Sequence, residues 1–453
     1  MESIETFIAT NRFGLGPAPG EAERVASDPR GWIHNQIDRR PKTPKALSGF
    51  RDSDDIIVDI FDNRDDAPAR KKNIRRALRQ DYVDELIARA RHMISTPKPF
   101  AERMVMFWSN HFTVSSTKGI ITPAIPAYER EAIRPNIFGK FEDMLIDVVR
   151  HPVMLTYLDN QLSVGPNSIA GMRRKFRTGT PTLMNENLAR EVLELHTLGV
   201  KGGYVQDDVV ALAKALTGWS HGAILAGLDN DRLHGKFDFK KYMHEPNSKR
   251  VLGKRYRDSG KKTGVKILKD LARHPSTARH IATKLVRHFV ADDPPLEVVY
   301  DIASIYLDNK GDLKEVSKAL IDHPAVWAEP TPKVKSHYEL MISAFRVLGM
   351  TDANPVNFVE PLREFGQVPF SAPSPAGWPD QASKWIAPES LMRRVEWLRK
   401  FAGMTPGGIR PDKFLDDVIG PVAGDDTRLW ASRAPSTDVA LGLILACPEF
   451  QRR

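Results

Sequence analysis

The chain has 453 residues, of which 41% are apolar, so it can bury a large core and is globular rather than disordered. Lys and Arg outnumber Asp and Glu by 66 to 57, and the formal net charge of +9 favours anionic partners. The single cysteine, Cys447, excludes an intrachain disulfide framework, and no apolar run reaches the roughly 18 residues of a membrane-spanning helix.

The N-terminal residues bear on the location of the protein. Residues 1–6 contain neither the basic region nor the apolar region of a signal peptide, so we expect a cytoplasmic protein. If a leader precedes Met1 in a longer precursor, the protein is exported instead. No helix-turn-helix, zinc-finger or aromatic ribonucleoprotein signature accompanies the positive charge. The expected partner is therefore an anionic small molecule or polysaccharide, and nucleic acid is not expected.

In the N-terminal third, apolar residues recur at the spacing of helices. The pattern predicts helices over Phe7–Gly16, from Pro19, over Arg30–Ile37, near Ile56–Phe61, from Arg70 through Ile87, over Phe100–Thr113, over 125–151 and over Met154–Asn160. Along Phe100–Thr113, His111 follows Met104, Phe107 and Trp108 at helical spacing. His111 is therefore predicted to face the core.

Residues 161–184 show little periodicity and carry a basic cluster, Arg173, Arg174, Lys175 and Arg177. Structureless segments of this length inside a compact chain are commonly lids, binding loops or disordered regions. We expect a lid that presents Arg174 to an anionic substrate, and a solvated loop is the alternative.

The segment Asn185–Gly199 has the plainest helix pattern in the chain. Apolar residues recur at helical spacing, and Gly199 stands where a C-terminal cap belongs. At about 100° per residue, four polar residues form one stripe along this helix: Asn187, Arg190, Glu191 and Glu194. Two carboxylates in register make this helix the first candidate for a site.

The second half of the chain continues with predicted helices and one exception. Residues 237–256 predict a β-hairpin, in which Phe237–Phe239 pairs with Val251–Tyr256. The helix that Ser276 caps has a basic flank of His280, Lys284 and Arg287. Residues 330–333 are a candidate linker to a C-terminal helical subregion, and Gln367–Pro379 is a proline-rich stretch expected to lie extended on the surface. The predicted fold is mainly α, one helical domain over 1–453 with a single large multi-helix core and a small β-hairpin insertion.

The candidate chemistry rests on the carboxylates and on His111. Glu191 and His111 offer the ligand types that suit iron, manganese or zinc, so a divalent metal is a candidate cofactor. The chain has neither of the spacings that would identify such a site, Glu-x-x-His or His-Glu-x-x-His. A core histidine that is satisfied by hydrogen bonds is the structural alternative for His111.

Two other interpretations of the stripe stay open. In the first, Arg190 and Glu194 form an i,i+4 ion pair, and the stripe only holds neighbouring helices in register. In the second, Glu191 and Glu194 act as catalytic acid or base together with Asp159. The candidate substrate-binding residues are Arg190, Asn187, Asn110, Trp108, Trp219 and Arg174, although core packing explains both tryptophans equally well.

Several phrases distributed along the chain together resemble one family. They are Asn11–Gly14, Trp108–Phe112, Tyr157–Asp159, Asn185–Glu191, Ala215–Trp219, Gly377–Pro379 and Pro448–Phe450. The chain resembles the bacterial domain-of-unknown-function family numbered 1800 over nearly its whole length. This resemblance implies no established activity, substrate or cofactor. Many members of that family carry an N-terminal export signal, from which this sequence departs.

The function expected from the sequence is that of an enzyme. The expected enzyme binds an anionic or sugar-like substrate in a polar pocket, and one form of this hypothesis includes a divalent metal in the pocket. The alternative is a non-catalytic binding or assembly protein whose polar stripe is structural.

Overall fold

The structure, a computed structural model, describes residues 3–61, 68–180, 184–222, 235–405 and 407–453. Its buried apolar side chains form one continuous core that extends from Phe7 to Phe450. The predicted fold class is confirmed, because the described residues are mainly helical and carry only two small sheets.

The N-terminal part consists of helices of very different length. In order they are α1 (Ile4–Phe7), α2 (Glu21–Val25), α3 (Pro29–His34), α4 (Ser53–Phe61), α5 (Pro68–Ser95), α6 (Pro99–His111), α7 (Ile125–Tyr128), α8 (Phe141–Arg150) and α9 (Pro152–Tyr157). α6 matches the predicted helix closely and begins with proline at its first position, where the missing N–H has no intrahelical partner to lose.

The middle of the chain contains the basic helix α14, which later contributes to the site. The helices here are α10 (Ile169–Thr178), α11 (Asn187–Glu191), α12 (Gln206–Leu216), α13 (Lys261–Ala272), α14 (Pro275–Phe289), α15 (Leu296–Asp308), α16 (Leu313–Asp322) and α17 (Ala325–Ala328). The segment 161–184 is thus not structureless, since α10 lies within it.

The C-terminal part begins with the buried helix α18. Its helices are α18 (His337–Val347), α19 (Glu360–Glu364), α20 (Pro388–Ala402), α21 (Pro411–Ile419), α22 (Asp425–Ser432) and α23 (Thr437–Ala446). At the predicted linker, Lys333 is buried and its backbone pairs with that of Arg453. The chain therefore enters α18 through the interior.

In the described ranges, four π-helical segments continue or precede α-helices: Ile8–Phe13, Glu129–Ile133, Val192–Thr197 and Pro355–Val359. A π-turn shifts the hydrogen bonds to i→i+5 and is frequent at functional sites. In the predicted central helix, α11 ends at Glu191 and the π-segment Val192–Thr197 follows directly.

The strands form two separate antiparallel pairs. β1 (Trp219–His221) pairs with β2 (Phe237–Phe239), and β3 (Lys249–Val251) pairs with β4 (Lys254–Tyr256). The predicted pairing of Phe237–Phe239 with Val251–Tyr256 is therefore wrong. Leu252 and Gly253, both with positive φ, close a two-residue turn that pairs β3 with β4 instead.

Within the described residues, every helix is either too short or too polar to cross a membrane.

Candidate functional site

The predicted polar stripe lies at the surface. Asn187 is exposed, and Arg190 makes a 3.4 Å ion pair with Glu186 and a 3.0 Å hydrogen bond to Gln206. Glu194 accepts a 3.2 Å hydrogen bond from the hydroxyl of Tyr204. The predicted pair between Arg190 and Glu194 does not form, because the helix changes to π geometry between them and i,i+4 residues no longer lie directly above one another.

Glu191 differs from its neighbours, because none of the described residues donates a hydrogen bond to it or pairs with it. Its side chain is partly buried. Burial raises the pKa of Glu191, and the charge of Glu194 adds to this effect while Arg190 opposes it. A raised pKa of this kind makes the protonated form of the carboxyl group easier to populate than that of an ordinary glutamate. Within the part of the chain that the structure describes, no hydrogen bond or ion pair positions this carboxyl group.

Asp159 follows helix α9 in the left-handed conformation, at φ 58°. Its carboxylate pairs with the ammonium of Lys118, which also donates to the carbonyl of Tyr157 at 3.1 Å. The Asp159 side chain is half exposed. The structure therefore places Asp159 in a solvated ion pair.

His111 lies in a buried cluster with His196 and His280. Its ring centroid is 6.3 Å from that of His196 and 6.0 Å from that of His280. Its Nε2 hydrogen bonds to the carbonyl of His196, and His280 does the same to the carbonyl of Leu195. Both carbonyls belong to the π-segment 192–197, so the two imidazoles satisfy acceptors at the place where regular helical bonding is interrupted.

The histidine cluster is held neutral. Burial lowers the pKa of His196 to about 3 and that of His280 to about 4, and the nearby charge of Lys284 acts in the same direction. His111 therefore contacts other histidines and not the exposed stripe. Among the described ranges, no group of three or more His, Cys, Asp or Glu side chains has an arrangement that could hold a metal ion.

The remaining predicted substrate-binding residues lie in different places. Trp108 and Trp219 are 0% and 1% exposed, so neither ring is open to a ligand. Trp108 packs among Phe107, His111, Phe112 and Phe141. This is the core packing that was the alternative to substrate binding for this residue. Arg174 is exposed on α10. Asn110 is the exception, because it lines a cavity.

This cavity, of about 400 Å³, lies where α6, α14 and α18 meet, and its size is typical of a small-molecule site. α6 packs on α14 through Phe107 and His288, whose ring centroids are 5.4 Å apart. The walls combine aromatic rings with charged groups, and the lining residues include Arg89, Phe107, Ser109, Asn110, Lys284, Arg287, His288, Tyr338, Glu339, Phe370, Trp378, Asp380 and Trp385.

One wall of the cavity is the 367–385 segment, which contains the proline-rich stretch. Asn110 fixes it with two hydrogen bonds to the backbone of Trp378. Its side-chain oxygen accepts from the Trp378 N–H at 2.7 Å, and its side-chain amide donates to the Trp378 carbonyl at 2.9 Å. Gly377 has φ +83°, and a Cβ there would come within 2.5 Å of the Asn110 carbonyl oxygen. Further contacts join Phe370 to Ser116 and Ala372 to Ser115. The stretch expected on the surface is therefore built into the site.

Two members of the basic flank of α14, Lys284 and Arg287, face this cavity, whereas the third, His280, lies in the histidine cluster. Lys284 is partly buried and lines the cavity, and no carboxylate among the described residues lies within ion-pair distance of its ammonium. Burial lowers the pKa of Lys284 to about 8, Arg287 acts in the same direction, and Asp380 opposes them. Arg287, also a lining residue, donates to the carbonyl of Asp292 and forms no ion pair in the described part of the chain.

Beside Lys284 lies a carboxylate–imidazole pair. The Nδ1 of His288 is 2.7 Å from a carboxylate oxygen of Asp380, and the other oxygen is 3.3 Å from the ammonium of Lys333. Burial alone would raise the pKa of Asp380, but His288 and Lys333 outweigh it and the pKa falls well below its usual range. Because an ionised carboxylate only accepts, Nδ1 must donate, and Nε2 keeps a free lone pair.

The Nε2 atom of His288 is buried, and it finds no hydrogen-bond partner among the described residues. Burial lowers the pKa of His288, although Asp380 works against this. The imidazole is therefore neutral, and its orientation is fixed by Asp380. This is the arrangement that orients a histidine as a proton acceptor.

On the α18 side, Glu339 is held between two buried arginines. Arg103 of α6 pairs with one of its carboxylate oxygens, and the Nε of Arg453 is 2.9 Å from the same oxygen. Burial alone would raise the pKa of Glu339, but Arg453 and Arg103 lower it well below its ordinary value. Arg89 similarly pairs with Glu129 and donates to the hydroxyl of Tyr338. Glu339 and Glu129 are thus both paired with arginines, whereas Lys284 and Arg287, which line the cavity, have no ion-pair partner among the described residues.

Comparison with known proteins gives the family. The family described as "Protein of unknown function (DUF1800)" matches residues 8–452, nearly the whole chain. The chain belongs to this family. No curated protein and no solved structure matches this DUF1800 member, so its function has to be argued from its own residues.

Sequence reasoning overlooked most of the cavity of this DUF1800 member, although two signals for it were present. The basic flank of α14 was recognised, but an amphipathic pattern does not tell whether a basic flank meets solvent or a cavity. The Gly377–Pro379 phrase contributed to the family resemblance, but the proline content of this stretch favoured an extended segment on the surface. The two signals were Lys284, which lies beside the apolar face of its helix, and Gly377, which precedes Trp378.

Proposed function

We propose that this DUF1800 member is an enzyme that acts on a small anionic molecule in the cavity between α6, α14 and α18. The observation that carries the proposal is Lys284. A partly buried ammonium without a carboxylate partner is costly to the fold, and an anionic ligand compensates that cost. The predicted anionic substrate is retained in this proposal, but the site is moved from the stripe to the cavity.

The proposed ligand has an anionic group and an apolar part. Lys284 and Arg287 bind the anionic group by charge-assisted hydrogen bonds. Phe107, Phe370 and Trp378 line the same cavity and suit an aromatic or aliphatic part.

The proposed chemistry is acid–base catalysis. His288, oriented by Asp380, accepts a proton through Nε2 from an attacking water, once ligand binding opens a path to this enclosed atom. The water oxygen bonds to the phosphorus, sulfur or carbonyl carbon of an ester, the bond to the ester oxygen breaks, and the departing oxygen takes up the proton from His288. Lys284 stabilises the negative charge that develops in the transition state. Asn110 positions the wall of the cavity by holding Trp378.

Binding is tested by calorimetry with three probes that share an aromatic ring and differ in the anionic group: phenyl phosphate, benzoate and benzenesulfonate. We expect at least one to bind, and Lys284→Met to weaken it by about tenfold or more, the value of a charge-assisted hydrogen bond. Lys266→Met, which removes the same charge from an exposed position on α13, is the matched control and should leave the affinity unchanged.

Absence of binding for all three probes, or an equal loss in both variants, contradicts the proposed site. Catalysis is tested separately with the nitrophenyl esters of phosphate, sulfate and succinate. Turnover that disappears in His288→Gln supports the enzyme. Specific binding without any turnover favours the non-catalytic alternative.

A further inference from the structure

Helix α10 is exposed over almost its whole length. Of its ten residues only Gly171 is buried, and Phe176 is 95% exposed. Ile169 and Met172 are also more than half exposed. At positions i, i+3 and i+7, these three apolar side chains form one stripe along the helix that nothing in the described chain covers.

The base of α10 is nevertheless firmly attached. A Cβ on Gly171 would come within 2.2 Å of the Gly165 carbonyl oxygen, and one on Gly165 would collide with the backbone of Glu245. Asn167 donates to the carboxylate of Glu245 through its backbone N–H and its side-chain amide. Ser168 caps the helix by accepting from the N–H of Gly171. The first turn is therefore docked on the protein, and the rest of the helix projects from it.

The charge around the apolar stripe has a single sign. Arg173, Arg174, Lys175 and Arg177 are all exposed, and no Asp or Glu occurs between Asp159 and Glu186. At 100° per residue, Arg173 and Lys175 flank the apolar stripe on its two sides, while Arg174 and Arg177 lie farther round the helix. An apolar stripe with basic flanks is the pattern of helices that lie in the interface of a membrane with anionic lipids.

A helix of ten residues with almost no tertiary packing is marginal in water. Burial of Phe176, Met172 and Ile169 between lipid headgroups would add the contacts that the protein does not supply, and the four cations would gain from a negatively charged surface. We propose that α10 is an interfacial anchor that docks this DUF1800 member on an anionic lipid surface. The proposal is independent of the ligand in the cavity, since none of residues 161–180 lines it.

The test is flotation of the full chain with vesicles of phosphatidylcholine alone and of phosphatidylcholine mixed with phosphatidylglycerol. We expect binding to the mixed vesicles only, and a loss of affinity of about tenfold or more when Arg173, Arg174, Lys175 and Arg177 are all replaced by Gln. Phe176→Ser should also weaken binding, by about tenfold.

The matched control replaces four exposed cations of α5 by Gln: Lys72, Arg75, Arg76 and Arg79. It removes the same charge from another helix, so it should change vesicle binding less than twofold, an order-of-magnitude expectation for charges held away from the surface. The melting temperature of each variant should equal that of the wild type, because all altered side chains are exposed.

Three outcomes overturn the proposal. The wild type fails to bind mixed vesicles at low salt, the α5 variant loses as much binding as the α10 variant, or Phe176→Ser binds as the wild type does. Sedimentation velocity without lipid tests whether a second copy of the chain, and not lipid, covers the apolar stripe. A wild-type dimer that Phe176→Ser converts to a monomer would assign the apolar stripe to a second copy of the chain and not to lipid.

Discussion

The polar stripe of the 185–199 segment and the α6/α14/α18 cavity contain the same residue types in opposite surroundings. In the stripe, Arg190 reaches a carboxylate four residues away and shares it with Gln206, all near solvent. In the cavity, Glu339 is buried between arginines that come from α6 and from the C-terminal end of the chain. Buried groups of this kind find their partners over long sequence distances, whereas Lys284 has neither a hydrogen bond nor an ion pair to any of the described residues.

Solvation separates the charges of the stripe from those of the cavity. Charges that water can solvate contribute little to stability and need no further explanation. Charges in the interior are expensive, and each one either has a partner or implies a ligand. Glu191 and Lys284 are both partly buried and without a partner among the described residues, but only Lys284 of the two lines a cavity that a ligand fits.

The largest effect is expected from Glu339→Gln. This change leaves Arg103 and Arg453 buried without their carboxylate and should lower the free energy of unfolding by about 3–5 kcal/mol. Glu194→Gln in the stripe should change it by less than about 0.5 kcal/mol. Denaturant unfolding of both variants measures the contrast, and similar losses would mean that the stripe is as structural as the cavity.

The next effect concerns the wall of the cavity. Gly377→Ala forces a side chain against the Asn110 carbonyl at a positive φ and should cost about 2–3 kcal/mol. Gly366 also has a positive φ, but nothing lies within 4 Å of its added Cβ, so Gly366→Ala should cost only about 1 kcal/mol. Equal costs in thermal unfolding would show that the close approach to Asn110 is not required.

Lys284→Met should stabilise the unliganded protein. The pKa of Lys284 is about 8 in the folded chain and near 10.4 when unfolded, so the unfolded chain binds more protons between these values. Stability of the wild type therefore rises with pH through this window, and below it the buried charge is a cost. At pH 7 the variant should melt about 1–2 °C higher. A lower melting point would reveal a partner for the ammonium.

The smallest effect is expected from Glu191→Gln. Because the pKa of Glu191 is raised, its ionised form is disfavoured in the folded protein, and stability falls as pH rises from the ordinary value to the raised one. The variant should equal the wild type at pH 4 and be more stable by about 0.5 kcal/mol or less at pH 7. If calorimetric scans show that the variant is clearly less stable than the wild type, the carboxyl group of Glu191 has a stabilising partner.

The sequence predicted the fold class because apolar residues at helical spacing are a local signal. It placed the ends of α6 and the start of α14 within two residues, although His274 and not the predicted Ser276 caps α14, and it placed His111 correctly on a core face. The strand pairing was wrong, since three-residue strands carry too little pattern to choose a partner.

The candidate site was not predictable in the same way. Arg103 and Glu339 are 236 residues apart, and His288 and Asp380 are 92 residues apart. No spacing rule connects such pairs, because their proximity depends on how the helices pack. The stripe was easy to recognise in the sequence because its members lie close together along one short segment. Such proximity reveals a pattern, but it is not evidence of a binding site.

The most direct measurement is the titration of Lys284 itself. Lysines carrying ¹³C-labelled dimethyl groups give one NMR signal each, and the signal of Lys284 is the one that Lys284→Met lacks. We predict a pKa near 8 for Lys284 in the free protein and an increase when phenyl phosphate is added, because a bound anion favours the ammonium. A pKa near the ordinary lysine value, or one that the anion leaves unchanged, would contradict the assignment of the cavity as an anion site.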